Sequence, residues 1–100
     1  MKLTITVPYS TYWEEVEVDL LFGLAPHLAD VATFGVHRGA REDASWWIVC
    51  NLETGMRITN SAVKAYAIRE AKRRLSLVCK EELLSAYRKA KSFYPQIRDA

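Results

Sequence analysis

Two segments near the start of the chain alternate between apolar and polar residues, and this alternation limits the fold more than any other feature. The apolar positions in residues 2–7 and 13–21 are Leu3, Ile5, Val7, Val16, Val18 and Leu20. A period of two residues is typical of a β-strand that buries one face. Since Pro8, Ser10 and Thr11 provide a turn between the two segments, we predict an antiparallel β-hairpin.

Three further strands are predicted in the middle of the chain. Val31–Arg38 has the composition of a third strand, and the almost wholly apolar Ser45–Leu52 predicts an interior one. Gly55 supplies a turn with a residue that tolerates positive φ, and Met56–Thr59 then returns as the next strand. Between the first hairpin and the third strand, Pro26 either opens one helical turn or lies in a loop.

The last third of the chain has a helical composition, because no glycine or proline occurs between Asn60 and Pro95. Asn60 or Ser61 is expected to cap the start, and Pro95 to end the helical stretch. One helix of this length would be unusual in a small domain, so we predict a break near residues 76–79. The fold class is α+β, with an antiparallel sheet of four to five strands (β-hairpin, third strand, β-hairpin) followed by two C-terminal helices packed on one face.

The charges are divided unequally along what we interpret as a single domain of residues 1–100. Residues 1–55 carry three basic and eight acidic groups, a net charge of −5, whereas residues 56–100 carry eleven basic and four acidic groups, a net charge of +7. We therefore distinguish an acidic β-rich part, residues 1–59, from a basic helical part, residues 60–95. This asymmetry indicates a nucleic acid, a membrane or an oppositely charged protein as partner, or two faces of one domain that attract each other.

The sequence shows no pattern for export or membrane insertion. The first residues do not form a basic and then apolar signal peptide. The most apolar stretch, residues 20–36, contains Pro26 and Asp30 and falls short of a membrane span. Cys50 and Cys79 have no CxxC spacing, which favours buried free thiols in a reducing compartment. We predict a cytoplasmic protein without a membrane partner.

Candidate catalytic groups are few. His27 and His37 are the only histidines, and neither has the spacing of a metal-binding pair. Cys50 and His37 could form a thiolate pair if adjacent strands aligned them, but a cysteine within an apolar run is more often inert. Phosphate-binding loops and hydrolase or kinase signatures are missing from the sequence. We predict no enzyme activity, no catalytic residue, no metal and no cofactor, and an enzyme built on Cys50 and His37 is the last of three hypotheses.

A row of carboxylates follows the second strand, at Glu15, Glu17 and Asp19. Alternate strand residues lie about 6.5–7 Å apart on one face, a spacing comparable to that of successive phosphates. We predict that this row faces outward, away from the buried Val16, Val18 and Leu20, and binds a partner; a solvated outer face is the alternative. Three carboxylates in a line do not converge on one metal ion.

Aromatic and basic residues provide two other candidate surfaces. Trp13 and Trp46 are predicted as aromatic anchors for a protein partner, since adjacent Trp46 and Trp47 must point to opposite faces of their strand. The basic positions predicted to lie on one side of the helical part and to contact a phosphate backbone are Arg69, Lys72, Arg73 and Lys80.

The order of strand, Gly55, strand and basic helix over residues 46–76 is similar to the second half of a double-stranded-RNA-binding domain. That family begins its helix with several lysines, whereas this chain has Lys64 alone at that place. The family also has a leading helix, which this sequence does not predict. The resemblance implies RNA binding through the basic helix.

We predict a small non-enzymatic interaction protein that binds a host protein or nucleoprotein complex. In size and lack of catalytic motifs the chain resembles, in general character, the short inhibitors encoded by phages and mobile elements, including the anti-CRISPR proteins that act on defence nucleases. The alternative is a nucleic-acid-binding module that uses the basic helix at residues 64–80. Homodimerisation is also open, because the acidic part of one chain could face the basic part of another.

Overall fold

A computed structural model describes residues 2–8, 13–39, 45–90 and 98–99. Within these residues, six antiparallel strands form one sheet, and two helices follow the fifth strand in the chain. The elements are β1 (Lys2–Pro8), β2 (Trp13–Leu21), a 3-10 helix (Pro26–Leu28), β3 (Phe34–Arg38), β4 (Trp47–Asn51), β5 (Arg57–Ser61), α1 (Lys64–Leu75), α2 (Lys80–Ala90) and β6 (Arg98–Asp99). The predicted α+β class, with two helices after an antiparallel sheet, is confirmed.

The strands lie in the order β5-β4-β3-β2-β1-β6, but neighbouring strands pair over different lengths. The predicted first hairpin is confirmed, with β1 and β2 paired from Lys2 opposite Asp19 to Pro8 opposite Trp13. β3 pairs with β4 along its whole length. In contrast, β2 pairs with β3 only over Asp19–Leu21.

Apolar clusters lie on both faces of the sheet. On the face that carries the helices, Phe34, Val36 and Val49 pack in one cluster with the buried α1 side chains. Those α1 side chains are Ala67, Ala71 and Leu75. On the opposite face, a second cluster contains Ile5, Val18, Cys50 and Leu52, none of them more than 1% exposed. Because both faces of the sheet carry buried residues, the alternation within a strand cannot show which of its faces packs against the helices.

The carboxylate row lies on the side of the sheet that carries the helices, and Glu15 and Glu17 are exposed while Val18 is buried, as predicted. Residues directly opposite each other in a sheet share a face, and Asp19 lies opposite Val36. Val36 belongs to the cluster beneath α1. The row of Glu15, Glu17 and Asp19 therefore lies on the helix face, while Val18 is buried on the other.

The start of α1 also differs from the prediction. Asn60 and Ser61 belong to β5, and the residue before α1 is Val63, whose side chain makes no capping hydrogen bond. The Thr59 hydroxyl donates to the carbonyl of Ala67 at 2.7 Å, which fixes α1 on β5. Strand pairing and this tertiary contact take precedence over the local capping preference.

The remaining connections follow the predictions in part. Pro26 opens a single 3-10 turn, which settles the alternative left open by the sequence. β3 begins at Phe34 rather than Val31, because the amides of Val31 and Ala32 donate to Leu28. Gly55 has a φ of 76°, as the predicted turn requires. The break between the two helices falls where it was predicted, whereas strand β6 was not predicted. The predicted end of the second helix at Pro95 lies outside the described residues.

Both cysteines are free, but only one is buried as predicted. Cys50 is buried, whereas Cys79 is exposed at the junction of the two helices. Among the residues that the structure describes, no helix is both long and apolar enough to cross a membrane.

Candidate functional site

A cleft opens in the sheet where β2 and β3 part. Beyond the pair of Asp19 and Val36, β2 continues along β1 and β3 continues along β4, so the two strands no longer pair with each other. The cleft has a volume of about 350 Å³. It is lined by Glu14, Glu15, Val16, Glu17 and Asp19 of β2, by residues 36–39, and by Trp47 of β4.

The predicted carboxylate row forms one side of this cleft. Glu15 and Glu17 are exposed and Asp19 is half-buried. With Glu14, four carboxylates line the cleft, while Arg38 is the one cation among its described lining residues. A concave site lined by an excess of one charge concentrates its electrostatic field and attracts groups of the opposite charge.

Trp47 forms the apolar wall opposite the carboxylates. The guanidinium of Arg38 lies 4.9 Å from the centre of its ring and the ammonium of Lys64 lies 5.0 Å from it, both within the range of cation–π contacts. The predicted anchor Trp46 is 39% exposed and lies outside the cleft lining. The side chain of Trp13, the other predicted anchor, lies outside the described residues.

His37 is the lining residue whose importance the sequence did not reveal. Its side chain is only 4% exposed, and its Nδ1 lies 2.7 Å from the carbonyl oxygen of Arg38. Because a carbonyl oxygen only accepts, Nδ1 carries the proton, and Nε2 of the neutral ring is an acceptor. This buried Nε2 has no hydrogen-bond partner. Burial, assisted by the charge of Arg57, lowers the pKa of His37 and keeps the ring neutral.

The hypothesised pair of Cys50 and His37 lacks the features of an activated nucleophile. The two side chains share a face of adjacent strands, since His37 lies opposite Ile48 and Cys50 opposite Gly35. Burial raises the pKa of the Cys50 thiol to about 12, so the thiolate is scarce at neutral pH. The described residues also contain no group of three side chains placed to hold a metal ion.

The predicted basic set is largely engaged in contacts within the protein. Arg73 pairs with Glu70 at 3.1 Å, which lowers the pKa of that carboxyl, and Lys80 pairs with Asp30. The guanidinium of Arg69 lies 5.1 Å from the centre of the Tyr66 ring. Lys72 is exposed on α1. Lys80 begins α2, so the set is divided between two helices rather than lying along one side of a single helix.

A second polar cluster joins α2 to the sheet. The Tyr87 hydroxyl donates to the carbonyl of Val31 at 3.0 Å and accepts from the Asn51 amide at 2.9 Å. The Glu53 carboxylate accepts from the backbone amide and the hydroxyl of Thr33, both at 2.9 Å. These groups are mutually satisfied, and we assign them a structural role. Their partners are too distant in the sequence for local patterns to reveal the cluster.

Comparison of the chain with protein-family models, with curated proteins and with solved structures found no significant match. The resemblance to a double-stranded-RNA-binding domain therefore rests on the order of β4, β5 and α1. The function has to be argued from the geometry of the cleft.

Proposed function

We propose that this chain is a non-enzymatic interaction protein that binds a positively charged surface of a partner protein at the cleft between β2 and β3. The observation that supports it best is the concentration of four carboxylates in one concave site that has the apolar wall of Trp47 and, among its described lining residues, Arg38 as the one cation. A concave lining dominated by one charge attracts groups of the opposite charge. The concave shape and the apolar wall distinguish this site from an ordinary solvated acidic surface.

The partner class that fits this site is a protein that itself binds nucleic acid, such as a host defence nuclease. Such proteins carry basic surfaces that contact phosphates. The row of Glu15, Glu17 and Asp19 offers negative charge at about 6.5–7 Å intervals along a strand, and its first two members are exposed. A small protein with an acidic cleft of this kind would inhibit its partner by occupying the phosphate-binding surface.

The energetic contribution of the row would lie in rate and specificity more than in affinity. Exposed ion pairs contribute only about 0–1 kcal/mol each. A set of like charges around a concave site nevertheless accelerates encounter with a basic surface and rejects acidic ones. Binding is therefore expected to weaken as the salt concentration increases.

The contacts of the basic set weigh against nucleic-acid binding through the helices. Arg73 and Lys80 are paired with carboxylates, and Arg74 donates to the carbonyl of Ile58 at 2.8 Å. A phosphate backbone would have to displace these contacts. Nucleic-acid binding through the helices would make capture of a partner depend on intact nucleic acid.

The test is affinity capture from host-cell lysate, with and without nuclease treatment, by three forms of the full chain. The first is the wild type, and the second replaces the row by Glu15→Gln, Glu17→Gln and Asp19→Asn. The control removes the same number of carboxylates from the helices, by Glu70→Gln, Glu81→Gln and Glu82→Gln.

We expect a protein that the wild type and the control retain after nuclease treatment and that the cleft variant loses by tenfold or more. Circular dichroism of the three forms should coincide, since none of the six substituted residues is buried and substitutions outside the core change stability little. Capture of the same protein by the cleft variant would contradict the proposal. Capture that disappears with nuclease treatment would instead favour the basic helices.

A further inference from the structure

We propose that two copies of this chain associate through the loop between β2 and β3, residues 22–33, and that each copy inserts the ring of Phe22 into an apolar pocket of the other. The pocket is separate from the acidic cleft, because the two cavities share no lining residue. Such a contact requires an apolar side chain that projects, a pocket of suitable size beside it, and a rim that does not repel a second copy.

Phe22 projects from the fold although its apolar neighbours are buried. It is 81% exposed, the highest value among the large apolar residues that the structure describes, whereas Leu24 and Leu28 are buried in the core beneath α1. Gly23 has a φ of 74°, a left-handed conformation that residues with side chains rarely adopt. The turn at Gly23 therefore leaves Phe22 outside while Leu24 packs inside.

The loop that carries Phe22 is fixed to the rest of the protein. Nε2 of His27 donates to the carbonyl of Val78 at 2.8 Å, and Lys80 pairs with Asp30. Both contacts join the loop to the junction between α1 and α2. A segment that is ordered before association loses less conformational freedom when it binds, so the fixed loop suits an interface.

A pocket of about 220 Å³ lies directly beside Phe22, whose side chain forms part of its wall. The other described residues that line it lie between Leu21 and Phe34, and none of them is Asp, Glu, Lys or Arg. An apolar cavity of about 150 Å³ is large enough for benzene, so this pocket can take one phenyl ring. Because the ring and the pocket belong to the same surface, a twofold axis between two copies allows both rings to be inserted together.

The charges around the pocket favour a second copy as the occupant. Residues 20–29 contain no Asp, Glu, Lys or Arg. The next charged residue, Asp30, pairs with Lys80, and their side chains remain 61% and 44% exposed. A twofold contact brings the same surface of both copies together, so a rim with one acid and one base can form the same pair across the interface. The carboxylate row of β2 would instead repel its own copy.

The area of this contact predicts a weak dimer. An aromatic side chain buries about 150–250 Å². Two rings, counted with an equal area of the pocket walls that they cover, would bury about 600–1,000 Å². Interfaces below about 1,200 Å² are typical of transient complexes. We therefore expect an equilibrium between monomer and dimer rather than a permanent dimer.

The experiment is analytical ultracentrifugation of the full-length chain at concentrations from about 10 µM to about 1 mM. We expect the average mass of the wild type to rise from that of the monomer towards that of the dimer. Phe22→Ser should raise the dissociation constant at least tenfold, because it removes both inserted rings. The matched control is Leu77→Ser, since Leu77 is 77% exposed and lies outside the pocket lining, and it should dimerise like the wild type.

A mixture of two variants tests whether the ring enters the pocket. Ala29 is exposed and lines the pocket, so Ala29→Trp fills the pocket and leaves Phe22 in place. Ala29→Trp should therefore be monomeric by itself, as should Phe22→Ser, which keeps an open pocket. A mixture of the two restores one ring and one pocket, and it should associate more tightly than either variant alone. Circular dichroism of the variants should match that of the wild type.

Three results would overturn the inference. They are a wild-type chain that stays monomeric up to about 1 mM, an equal loss of dimer in Phe22→Ser and Leu77→Ser, and a mixture that associates no better than its components. A monomeric wild type whose Phe22→Ser variant loses the captured protein would assign the loop to that protein instead of a second copy. None of these results depends on the carboxylate row, so the capture experiment tests the proposed function separately.

Discussion

Two junctions within one sheet differ sharply, and the difference locates the candidate site. β3 and β4 are paired from Phe34 opposite Asn51 to Arg38 opposite Trp47. β2 and β3 are paired only over Asp19–Leu21, after which the strands part. At the first junction, antiparallel pairing joins β3 to β4 along the whole length of β3. The second leaves a cleft lined by four carboxylates, which makes the incomplete junction the candidate site.

Side chains compensate for the short ladder between β2 and β3. A Cβ atom added at Gly35 would lie 3.1 Å from the carbonyl oxygen of Asp19 and 3.2 Å from side-chain atoms of Val18 and Leu52. The strands therefore approach closely at their few paired residues. Apolar clusters on both faces hold this approach, one containing Val36 and the other Val18 and Leu52.

The largest expected effect comes from forcing this junction apart. Gly35→Val should destabilise the protein by about 3 kcal/mol, because overpacking beside a backbone oxygen cannot be relieved by a side-chain rotation. Gly35→Ala should cost less. Urea denaturation measures both. A cost below about 0.5 kcal/mol for Gly35→Val would show that the approach of β2 and β3 is not tight.

A matched pair of substitutions compares the two junctions directly. Val18 and Val49 are both 0% exposed, and they lie on opposite faces of the sheet. We expect Val18→Ala and Val49→Ala to cost about 2 kcal/mol each, because each removes buried apolar volume. A much smaller cost for Val18→Ala would mean that the cluster opposite the helices contributes little to joining β2 and β3.

The two junctions also differ in how far the sequence predicts them. Alternation in β1 and β2 and the turn at Gly55 predicted both hairpins, since these features are local. The alternation in β2 also predicted the burial of Val18 and the exposure of Glu15 and Glu17. It could not show which face of the sheet carries the helices, because apolar clusters cover both faces. The prediction that Asn60 or Ser61 caps α1 was wrong for a similar reason. Ser61 pairs with Trp47, so β5 continues beyond Thr59.

The carboxylate row was predictable as a site, whereas its surroundings were not. Glu15, Glu17 and Asp19 form a row in the sequence itself. His37 and Trp47 join them only because β2 and β3 stop pairing after Asp19, and the end of a ladder depends on tertiary register. The basic set was predicted as a surface. The pairing of Arg73 with Glu70 is local to α1, whereas the pairing of Lys80 with Asp30 is a property of the fold.

A smaller effect is expected from pH, through His37. Because burial lowers its pKa in the folded chain from the ordinary 6.5, the unfolded chain binds a proton more readily. The free energy of unfolding should therefore fall as the pH decreases below about 6.5, until it reaches the lowered native pKa. The difference between wild type and His37→Gln, measured by urea denaturation at pH 7.5, 6 and 5, isolates this residue. If the unfolding free energies of wild type and His37→Gln differed by the same amount at all three pH values, the pKa of His37 would not be lowered in the folded chain.

The claim that the open junction is the binding site is tested most directly by hydrogen–deuterium exchange of the chain, alone and bound to the captured partner. Our account predicts slower exchange at residues 14–18 and 36–39 in the complex, because the partner would cover the cleft between β2 and β3. Slower exchange confined to the exposed face of α1, residues 64–75, with the cleft unchanged, would contradict it.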